Sequence, residues 1–414
     1  MTITHTHPIT IGGSFASDHC KDFDFITFWV SSPKIVASHL IKCFGFLPYA
    51  HTGLETGNKS LTAQAIKNGK VIFLLAGAVR PLNGKSSTAN KIHQHISLHG
   101  DAVKDVAFQV DDINRAIDIA RKGGAEIIME PTSFNDNFGL IWMAKVNGLN
   151  DVTHTFVDRS MYQGFLPGFV FEEDWQYEMP ILNLEAIDHC VQNEDWHNME
   201  KACEYYKNAF NFDKFWSVDD TQVYTEYSAL KSTVMTSGNK KIKMPINEPA
   251  LGLKKSQIEE FIEFNHGPGI QHIAIRTSNI IDSVKKMRAL GVDFIEVPDK
   301  YYQNLNERLK VEKHPEIVET LKTIKKLGIL VDFDEHGYLL QLFTRPIFDR
   351  PTFFFEIIQR HNHDGFGAGN FKGLFEVLEK DQEKRGNLTR QSLGTAGEFV
   401  RDEQVANSVV DQII

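Results

Sequence analysis

An internal repeat limits what this chain can fold into more than any other feature of its sequence. The stretch "HGPGIQHIAIRT" at 266–277 follows the pattern of "HGDAVKDVAFQV" at 99–110, at an offset of 167 residues (272 − 105). At the same offset Gly124 matches Gly291, and a proline follows each of these glycines at the same distance. A long repeat that keeps its register is the mark of a duplicated structural unit. The chain is therefore expected to consist of two similar halves.

Each copy of the repeat predicts a strand followed by a helix. Asp111 and Ser278 stand where the strand pattern ends, and both are favourable N-cap residues for the helix that follows. Gly124 and Gly291 stand where those helices should end, in the left-handed conformation that glycine adopts readily. The expected unit is a strand, a capped helix and a glycine stop, and it occurs twice.

The earlier part of each half repeats as well. Two amphipathic helical patterns end in Phe-x-Phe, and each of them follows a strand pattern. Together these signals predict four β-α-β-β-β modules, paired into two similar domains of an α+β protein. The helical segments are 34–46 and 199–212, their strands are 23–30 and 187–193, and the predicted domains are 1–165 and 181–384, with a junction at 164–180 and a polar tail at 385–414.

Composition argues against several kinds of partner and location. The net charge of −10 and the lack of lysine or arginine clusters argue against nucleic acid, because phosphate binding needs a basic face. No apolar run reaches the roughly 18 residues of a membrane span. The N-terminal "MTITHTHPITIGG" lacks the basic and apolar regions of a secretory signal. The four cysteines form no CxxC pair and no disulfide framework, so a cytoplasmic protein is expected.

One position of the repeated strands suggests chemistry. Each module opens with a strand triplet whose third residue faces the same side as the first, and that third residue is Phe25, Asp105, His189 or His272. Two imidazoles at matching positions of paired modules could converge on one metal, and a 2-His-1-carboxylate set is typical of non-haem Fe(II). Glu356 is the candidate carboxylate, since a charge among phenylalanines and isoleucines is costly to bury unless it is paired or ligating.

Ordinary interpretations of the same residues stay open at this point. A histidine on an apolar strand is often a hydrogen-bonded core residue, and the chain has 17 histidines. Glu356 could instead be the buried partner of Arg360 in an ion pair. The residue patterns alone therefore leave a metal site and a structural cluster as alternatives.

Longer motifs in the second half carry a resemblance to a known family. Three segments are distinctive: "MPINEPALGLKKSQIEEFIEFNHGPGIQHIAI", "GYLLQLFTRPIFDRPTFFFEIIQRHNHDGFGAGNF" and "RGNL". They resemble the 4-hydroxyphenylpyruvate dioxygenase family, most densely over 181–390 and more loosely through the first half. The resemblance implies a vicinal-oxygen-chelate fold of glyoxalase-like open barrels and one Fe(II) per chain. The implied reaction converts 4-hydroxyphenylpyruvate and O2 to homogentisate and CO2, in tyrosine and phenylalanine catabolism.

The resemblance also implies a set of site residues. The iron ligands would be His189, His272 and Glu356, the three residues that the strand pattern also indicates. Gln271 is left out of the site, because strand alternation is expected to turn it away from its neighbour His272. The implied substrate-binding residues are Ser232, Pro245, Asn247, Gln257, Gln341, Phe343, Phe354, Phe366, Asn370 and Phe371.

The first half departs from the metal pattern of the family. Phe25 cannot bind a metal, and Asp105 stands alone. The segment "DVTHTFVDR" at 151–159 resembles "GYLLQLFTR" at 337–345, so the strand that bears Glu356 is expected to have no counterpart. The first half is therefore expected to be a scaffold without metal. The expected partners are the small-molecule substrate, O2 and a second copy in a homodimer.

Two segments of the second half invite separate predictions. The polar, lysine-rich insert between Pro298 and Ile329 is helical by pattern, and it is expected to be a solvated cover or a contact between subunits. Residues 365–382 predict an amphipathic helix that follows a glycine-rich segment. Such a helix is suited to act as a gate over the substrate, with a fixed helix that caps the core as the alternative.

Three other functions stay open as alternatives. 4-Hydroxymandelate synthase resembles the same family and shares its substrate and triad, but it oxidises the side chain; "MPINEP" and "GFGAGNF" favour the dioxygenase. An extradiol ring-cleaving dioxygenase has a similar triad and fold but needs no internal 2-oxo acid. A metal-free binding protein of the same fold would require the triad to be incidental.

Overall fold

The structure is a computed structural model that describes residues 19–80, 87–172, 182–218 and 227–390. The tail beyond 390 and the second part of the predicted junction, 173–180, lie outside the described residues. Within the described ranges the chain forms two mixed sheets, one from each half. No helix in these ranges is both long and apolar enough to cross a membrane.

The first half contains nine strands and three α-helices within the described ranges. The strands are β1 (Cys20–Trp29), β2 (Leu47–Thr52), β3 (Leu61–Asn68), β4 (Val71–Ala78), β5 (Ala102–Val110), β6 (Ile127–Asp136), β7 (Gly139–Asn147), β8 (Thr153–Tyr162) and β9 (Val170–Phe171). The helices are α1 (Pro33–Phe44), α2 (Thr88–His99) and α3 (Ile113–Lys122). The strand order in the sheet is β6-β7-β8-β5-β1-β4-β3-β2-β9.

The second half contains eight strands and six α-helices within the described ranges. The strands are β10 (Leu184–Asn193), β11 (Asp213–Val218), β12 (Ala229–Thr236), β13 (Lys243–Ala250), β14 (Gly269–Thr277), β15 (Leu330–Phe333), β16 (Tyr338–Phe343) and β17 (Phe354–His361). The helices are α4 (Met199–Phe210), α5 (Gln257–Asn265), α6 (Ile280–Ala289), α7 (Asp299–Val311), α8 (Leu321–Leu327) and α9 (Ala368–Lys384). The strand order is β11-β12-β13-β10-β14-β17-β16-β15.

The two sheets share one topology. Read from the opposite end, β15-β16-β17-β14-β10-β13-β12-β11 corresponds strand for strand to β6-β7-β8-β5-β1-β4-β3-β2. The opening strand of each module pairs in parallel with the last strand of that module, as β1 does with β4 and β14 with β17. The two opening strands of each half pair antiparallel at the centre. The predicted α+β fold of paired β-α-β-β-β modules is confirmed.

The repeated helices end as predicted and begin one residue later than predicted. The two glycine stops have positive φ, +88° and +93°. The N-caps are Asp112 and Asn279, and the side chain of each accepts a hydrogen bond from the backbone N–H three residues on. The prediction of Asp111 and Ser278 was therefore wrong by one position. The reason is that the chain stays extended through one more residue, with φ of −146° at both caps.

The strand that bears Glu356 has a counterpart in the first half, contrary to the prediction. β17 lies parallel to β14, with Glu356 opposite Ala274, and β8 lies parallel to β5, with Phe156 opposite Phe108. This pairing puts Thr155 at the position of Glu356, at an offset of 201 residues (356 − 155). The offset is larger than that of β14 because α7 and α8 are inserted before β15. The resemblance of 151–159 to 337–345, at an offset of 186 residues (337 − 151), therefore misaligned the last strands.

The insert between Pro298 and Ile329 is helical, as predicted, and it contributes to the core. Tyr301 and Tyr302 of α7 are buried, and Tyr302 donates its hydroxyl hydrogen to the carbonyl of Ile329 at 3.1 Å. The hydroxyl oxygen of Tyr301 accepts a hydrogen bond of 2.8 Å from the backbone N–H of Val331. These contacts tie the insert to β15, so it is more than a solvated cover.

Alternating phenylalanines on β17 connect the two halves and leave one face for the site. Phe355 stacks on Phe73 of the first half at 5.5 Å and meets Phe44 at 5.3 Å. Phe354 and Glu356 point to the opposite face, because side chains alternate along a strand. The core that joins the halves thus holds β17 in place and directs Glu356 into the second half.

Candidate metal centre and substrate site

Three neighbouring strands bring His189, His272 and Glu356 together. β10, β14 and β17 lie side by side in the second sheet, and each carries one of the three residues. Nε2 of His189 lies 3.1 Å, and Nε2 of His272 lies 3.4 Å, from Oε2 of Glu356. The three residues are 3%, 9% and 2% exposed, and their ligand atoms all lie within 4.8 Å of one another. In the described part of the chain, no other group of His, Cys, Asp or Glu has this spacing.

A β-bulge lies beside each histidine. In the pairing of β10 with β14, Asp188 is the extra residue on β10 and Gln271 is the extra residue on β14. A bulge interrupts the alternation of side chains and re-aims the residues around it. Oδ1 of Asp188 lies 2.8 Å from Nδ1 of His189, and Oε1 of Gln271 lies 3.1 Å from Nδ1 of His272. Each ring therefore donates through Nδ1 and turns Nε2 toward Glu356.

Sequence reasoning missed both of these partner residues. The expectation that Gln271 turns away from His272 is wrong, because the bulge removes the alternation on which it depended. A signal was present in the triplets, where a polar residue directly precedes each histidine. Metal-binding histidines need a hydrogen-bond acceptor at the second ring nitrogen, and Asp188 and Gln271 supply it.

Burial and charge act in opposite directions on the three groups. Burial would raise the pKa of Glu356, but the two neighbouring imidazoles lower it to about 2. Burial lowers the pKa of His189, but the carboxylates of Glu356 and Asp188 outweigh burial and raise it. For His272 burial prevails and lowers the pKa, with the neighbouring His189 acting in the same direction. Below the raised pKa of His189, the metal-free site is thus an ionised carboxylate beside one protonated imidazole.

The site fits a metal ion better than a purely structural cluster. Oε1 of Glu356 is buried without a hydrogen-bond partner, and such an oxygen is costly to bury unless a cation binds it. Arg360, the alternative partner, binds both carboxylate oxygens of Asp188 instead. Two imidazoles with Nδ1 held by acceptors and one carboxylate form the donor set of a 2-His-1-carboxylate site. His189, His272 and Glu356 can therefore hold a divalent metal.

Three phenylalanines lie against the histidines. The ring of Phe354 stacks on His272 at 4.8 Å, with 18° between the planes, and Phe343 meets the same imidazole edge to face at 6.0 Å. Phe366 meets His189 edge to face at 5.2 Å. All three rings are buried. These three implied substrate-binding residues form an apolar wall around the candidate ligands.

Ser232, Pro245 and Asn247 share one face of the adjoining strands. Across β12 and β13, Ser232 pairs with Asn247 and Val234 pairs with Pro245, and cross-strand neighbours lie on the same side of a sheet. Val234 packs with Phe366 in a small apolar cluster that also contains a residue of α9. The face that carries the three implied substrate-binding residues is therefore directed toward Phe366 and α9.

Two implied substrate-binding glutamines, Gln257 and Gln341, contact residues that adjoin the candidate ligands or the start of α9. Gln257, the first residue of α5, accepts a hydrogen bond of 3.0 Å from Nε2 of Gln271 and so extends the polar chain that begins at His272. Gln341 on β16 is buried against the backbone of Gly367, where an added Cβ would collide with the Gln341 amide. Gly367 also has φ of +75°, which favours glycine at this position.

Asn370 is held by the insert. Its Oδ1 accepts a hydrogen bond of 2.6 Å from the hydroxyl of Tyr301, and its Nδ2 is buried without a partner. Tyr301 belongs to α7, so the insert fixes the side chain of an implied substrate-binding residue. The side chain of Phe371, the last member of that set, lies outside the described residues.

The predicted C-terminal helix is present as α9, and its far end is anchored. Arg345 forms an ion pair with Asp381, and Arg385 binds Glu260 through two hydrogen bonds of 3.0 and 2.6 Å. The near end begins after Gly367, which has a left-handed conformation. The gate stays a prediction, and these contacts restrict it to movement at the end beside the metal ligands.

The matching positions of the first half carry a hydrogen-bonded polar pair instead of a triad. Phe25, Asp105 and Thr155 stand where the second half has its three candidate ligands. Oδ1 of Asp105 accepts hydrogen bonds of 2.6 and 2.9 Å from Thr153 and Thr155, and it lies 3.3 Å from Nζ of Lys145. The first half therefore offers a single carboxylate that a lysine already neutralises.

Comparison with known proteins identifies the family of this chain. The family model of the glyoxalase/bleomycin resistance protein/dioxygenase superfamily matches residues 186–342. A protein of Yarrowia lipolytica named 4-hydroxyphenylpyruvate dioxygenase is 49% identical, over 94% of this chain and 98% of the relative. A protein of the same name from Danio rerio is 47% identical, over 89% of this chain and 92% of the relative.

A solved structure extends the comparison to the fold. A mutant of 4-hydroxymandelate synthase from Streptomyces coelicolor superposes with a TM-score of 0.75 at 27% identity, over 88% of this chain and 99% of that chain. The match covers both halves and supports the fold of paired modules. Identity near one half over almost the full length is found with the relatives of the other name. The chain belongs to the 4-hydroxyphenylpyruvate dioxygenase family.

Proposed function

We propose that this chain is an Fe(II)-dependent dioxygenase that converts 4-hydroxyphenylpyruvate and O2 to homogentisate and CO2. The observation that carries the proposal is the buried group of His189, His272 and Glu356, in a chain that matches relatives of that name over most of its length. The reaction balances, because 4-hydroxyphenylpyruvate and O2 together contain the same atoms as homogentisate and CO2. Because the substrate carries its own 2-oxo acid, the reaction needs no second organic substrate.

His189, His272 and Glu356 would hold the Fe(II). A set of three protein ligands leaves positions open for other ligands, and the bound metal would supply the activation of O2 and a binding point for the 2-oxo acid. Asp188 and Gln271 accept the Nδ1 hydrogens, so Nε2 is the ring nitrogen that each histidine would offer to the metal. Glu356 supplies the negative charge that favours a divalent cation in a buried site.

The surrounding side chains would orient the substrate and exclude water. Phe343, Phe354 and Phe366 lie against the imidazoles, where they can confine an aromatic ring and keep water away from a reactive centre. Hydroxyl and amide groups would bind the polar ends of the substrate. The full proposed set is Ser232, Pro245, Asn247, Gln257, Gln341, Phe343, Phe354, Phe366, Asn370 and Phe371.

The organisation of the chain is part of the same proposal. The domain at 1–165 would be a scaffold, the domain at 181–384 would be catalytic, and 385–414 would form a tail. The polar pair of Asp105 and Lys145 supports the scaffold role, because it occupies the place of a metal ligand. The protein would act as a cytoplasmic homodimer in tyrosine and phenylalanine catabolism.

Product identification tests the proposed reaction. Incubation of the full-length protein with 4-hydroxyphenylpyruvate, Fe(II) and O2 should give homogentisate and one CO2 for each O2 used, without added 2-oxoglutarate. 4-Hydroxymandelate is an isomer of homogentisate that is formed with the same loss of CO2, so mass and gas release do not separate the two. Proton NMR does, because only homogentisate has a third substituent on the ring.

Three outcomes would contradict the proposal. 4-Hydroxymandelate as the main product would assign the chain to the synthase reaction, and a requirement for 2-oxoglutarate would refute the internal 2-oxo acid. Failure to bind Fe(II) after anaerobic loading would favour a metal-free binding protein. Glu356→Gln is the control, since it keeps the shape of the side chain and removes the charged ligand, and it should bind no metal and form no product.

A further inference from the structure

A chain of hydrogen bonds connects the candidate ligand His189 to the loop that precedes α9. Oδ1 of Asp188 lies 2.8 Å from Nδ1 of His189. Arg360 binds the same carboxylate at two points, with Nε 2.9 Å from Oδ2 and Nη2 2.8 Å from Oδ1. The remaining nitrogen of the guanidinium, Nη1, donates to the backbone carbonyls of His363 and Gly365. One carboxylate and one guanidinium thus hold both the imidazole and the loop.

The same loop places Phe366 against His189. The two rings meet edge to face with centroids 5.2 Å apart. The guanidinium of Arg360 lies over the Phe366 ring, with Cζ 5.6 Å from its centroid. The loop therefore contacts His189 in two ways, directly through Phe366 and indirectly through Arg360 and Asp188.

The first half contains the same construction without a metal ligand. Arg159 binds both oxygens of Asp24 at distances from 2.7 to 3.0 Å, and its Nη1 donates to the carbonyls of Gly164 and Phe165. Phe165 meets Phe25 edge to face at 5.6 Å, and Cζ of Arg159 lies 5.9 Å from the Phe165 centroid. The pairing of β8 with β5 and of β17 with β14 puts these residues at matching positions.

The two copies differ in what the carboxylate touches. In the first half the residue after Asp24 is Phe25, whose ring has no hydrogen to donate, so the ion pair only fastens a loop to the sheet. In the second half the residue after Asp188 is His189, and Oδ1 of Asp188 is shared between that ring and Arg360. A carboxylate on the second nitrogen of a metal-binding histidine fixes its tautomer and its orientation. The Arg-Asp ion pair therefore has a structural role in the first half, whereas in the second half it also orients a candidate metal ligand.

We propose that Asp188 and Arg360 are positioning residues that couple the loop at 363–366 to the orientation of His189, so that loop docking and metal affinity depend on each other. This inference rests on the metal site of the proposed function. With the loop docked, Arg360 holds Asp188 against Nδ1 of His189. With the loop lifted, Arg360 loses two carbonyl acceptors, and its hold on Asp188 loosens. Because coupling between two sites is reciprocal, metal binding must in turn hold the loop down.

Matched variants in the two halves separate positioning from a purely structural role. Asp188→Asn keeps the shape of the side chain and removes its charge, and Asp24→Asn makes the same change away from any candidate ligand. Co(II) titration of the full-length protein is expected to show an affinity roughly 10–100-fold weaker for Asp188→Asn and a change below about twofold for Asp24→Asn. A structural role alone predicts equal effects in the two halves.

A second matched pair decides the question if Asp188→Asn does not fold. Lysine keeps a positive charge but lacks the planar fork that binds a carboxylate and two carbonyls at once. Arg360→Lys should therefore weaken Co(II) binding by roughly tenfold or more, whereas Arg159→Lys should not. Co(II) affinity of Arg360→Lys within about twofold of the unchanged protein, or equal losses in both halves, would overturn the proposal.

Hydrogen exchange measures the coupling in the reverse direction. Loading the unchanged protein with Co(II) should slow amide exchange at 363–370 and leave the matching segment at 162–169 as it was. In Arg360→Lys the slowing at 363–370 should be lost. Loading without any slowing in the unchanged protein would also overturn the proposal. If the unchanged protein binds no Co(II), the metal site of the proposed function is refuted as well. If it binds Co(II) and the variants Asp188→Asn and Arg360→Lys bind it equally well, only the proposed coupling is refuted.

Discussion

Metal loading of the second half should respond to pH through a single proton. Burial lowers the pKa of His189, but the carboxylates of Glu356 and Asp188 raise it by more. Burial lowers the pKa of His272, and the neighbouring His189 opposes a second proton. Below the raised pKa of His189, the metal-free site therefore holds one proton more than two neutral imidazoles do, at Nε2 of His189. A metal needs the Nε2 lone pair of both rings, so its binding must release that proton.

The size of the effect follows from this proton count. Below the raised pKa of His189, each unit of falling pH should weaken the apparent metal affinity about tenfold, which is about 1.4 kcal/mol. Above that pKa the affinity should level off. At a site with two protonated imidazoles, the apparent metal affinity would fall about a hundredfold for each unit of falling pH. The slope between about pH 5 and pH 6 separates the two cases.

The stability of the metal-free protein should fall on both sides of a middle range. Because the pKa of His189 is raised, its contribution is fully present below the ordinary value of 6.5 and is lost as the pH rises through the raised value. Because the pKa of Glu356 is lowered from 4.5 to about 2, its contribution, on the order of 3 kcal/mol, is present above 4.5 and is lost as the pH falls toward 2. Bound metal replaces the His189 proton and should remove the loss on the alkaline side.

Calorimetric titration with Co(II), in two buffers of different ionisation enthalpy, counts the released protons. Near pH 6, about one proton should be released for each metal bound, and the number should fall to none above the pKa of His189. Asp105→Asn in the first half should leave the count unchanged. Release of two protons, or an affinity that does not change between about pH 5 and pH 6, would refute a site with one protonated histidine.

Three further changes test separate contacts. His272→Ala should abolish binding of the single metal per chain, measured by metal analysis after anaerobic loading, whereas Asp105→Asn should retain it; two metals per chain would contradict this. Gln271→Leu removes the acceptor of the His272 Nδ1 hydrogen and should weaken Co(II) binding roughly 10–100-fold, whereas unchanged affinity would rule out its role. Gly367→Ala should reduce turnover, because its Cβ would collide with a glutamine amide, whereas Gly386→Ala, with equally positive φ and nothing within 4 Å, should lower stability and spare turnover.

Much of the fold could be predicted from the repeat, because similar residues impose the same local structure twice. The helices predicted at 34–46 and 199–212 are present, and both end two residues earlier than their patterns do. Gly45 and Asn211 take left-handed conformations there, with φ of +65° and +54°, and close the helices before the final phenylalanine of each motif. Periodicity identifies a helix, whereas the residue that closes it depends on a backbone conformation that periodicity does not report.

The rest of the site depends on strand pairing, which the order of residues does not determine. Asp188 and Gln271 sit at bulges that exist only in the register of β10 against β14. The match of Thr155 to Glu356 likewise appears only when β8 and β17 are aligned on their parallel partners. A side-chain period of two assigns faces only while the pairing is regular, so sequence alternation was least reliable beside the candidate ligands.

The two halves show how one copy of a duplicated sheet can hold a metal while the other keeps only the shape. Register shifts interrupt the central strand pair of each half. In each half an Arg-Asp ion pair also holds the loop that carries Phe165 or Phe366. The difference lies in how the buried carboxylate is neutralised. Asp105 has Lys145 and two threonine hydroxyls around Oδ1, whereas Glu356 has two imidazoles around Oε2, and the second oxygen of each carboxylate is buried without a hydrogen-bond partner. In the first half a lysine neutralises the buried carboxylate. In the second half an imidazole proton neutralises it, and a bound metal cation can replace that proton.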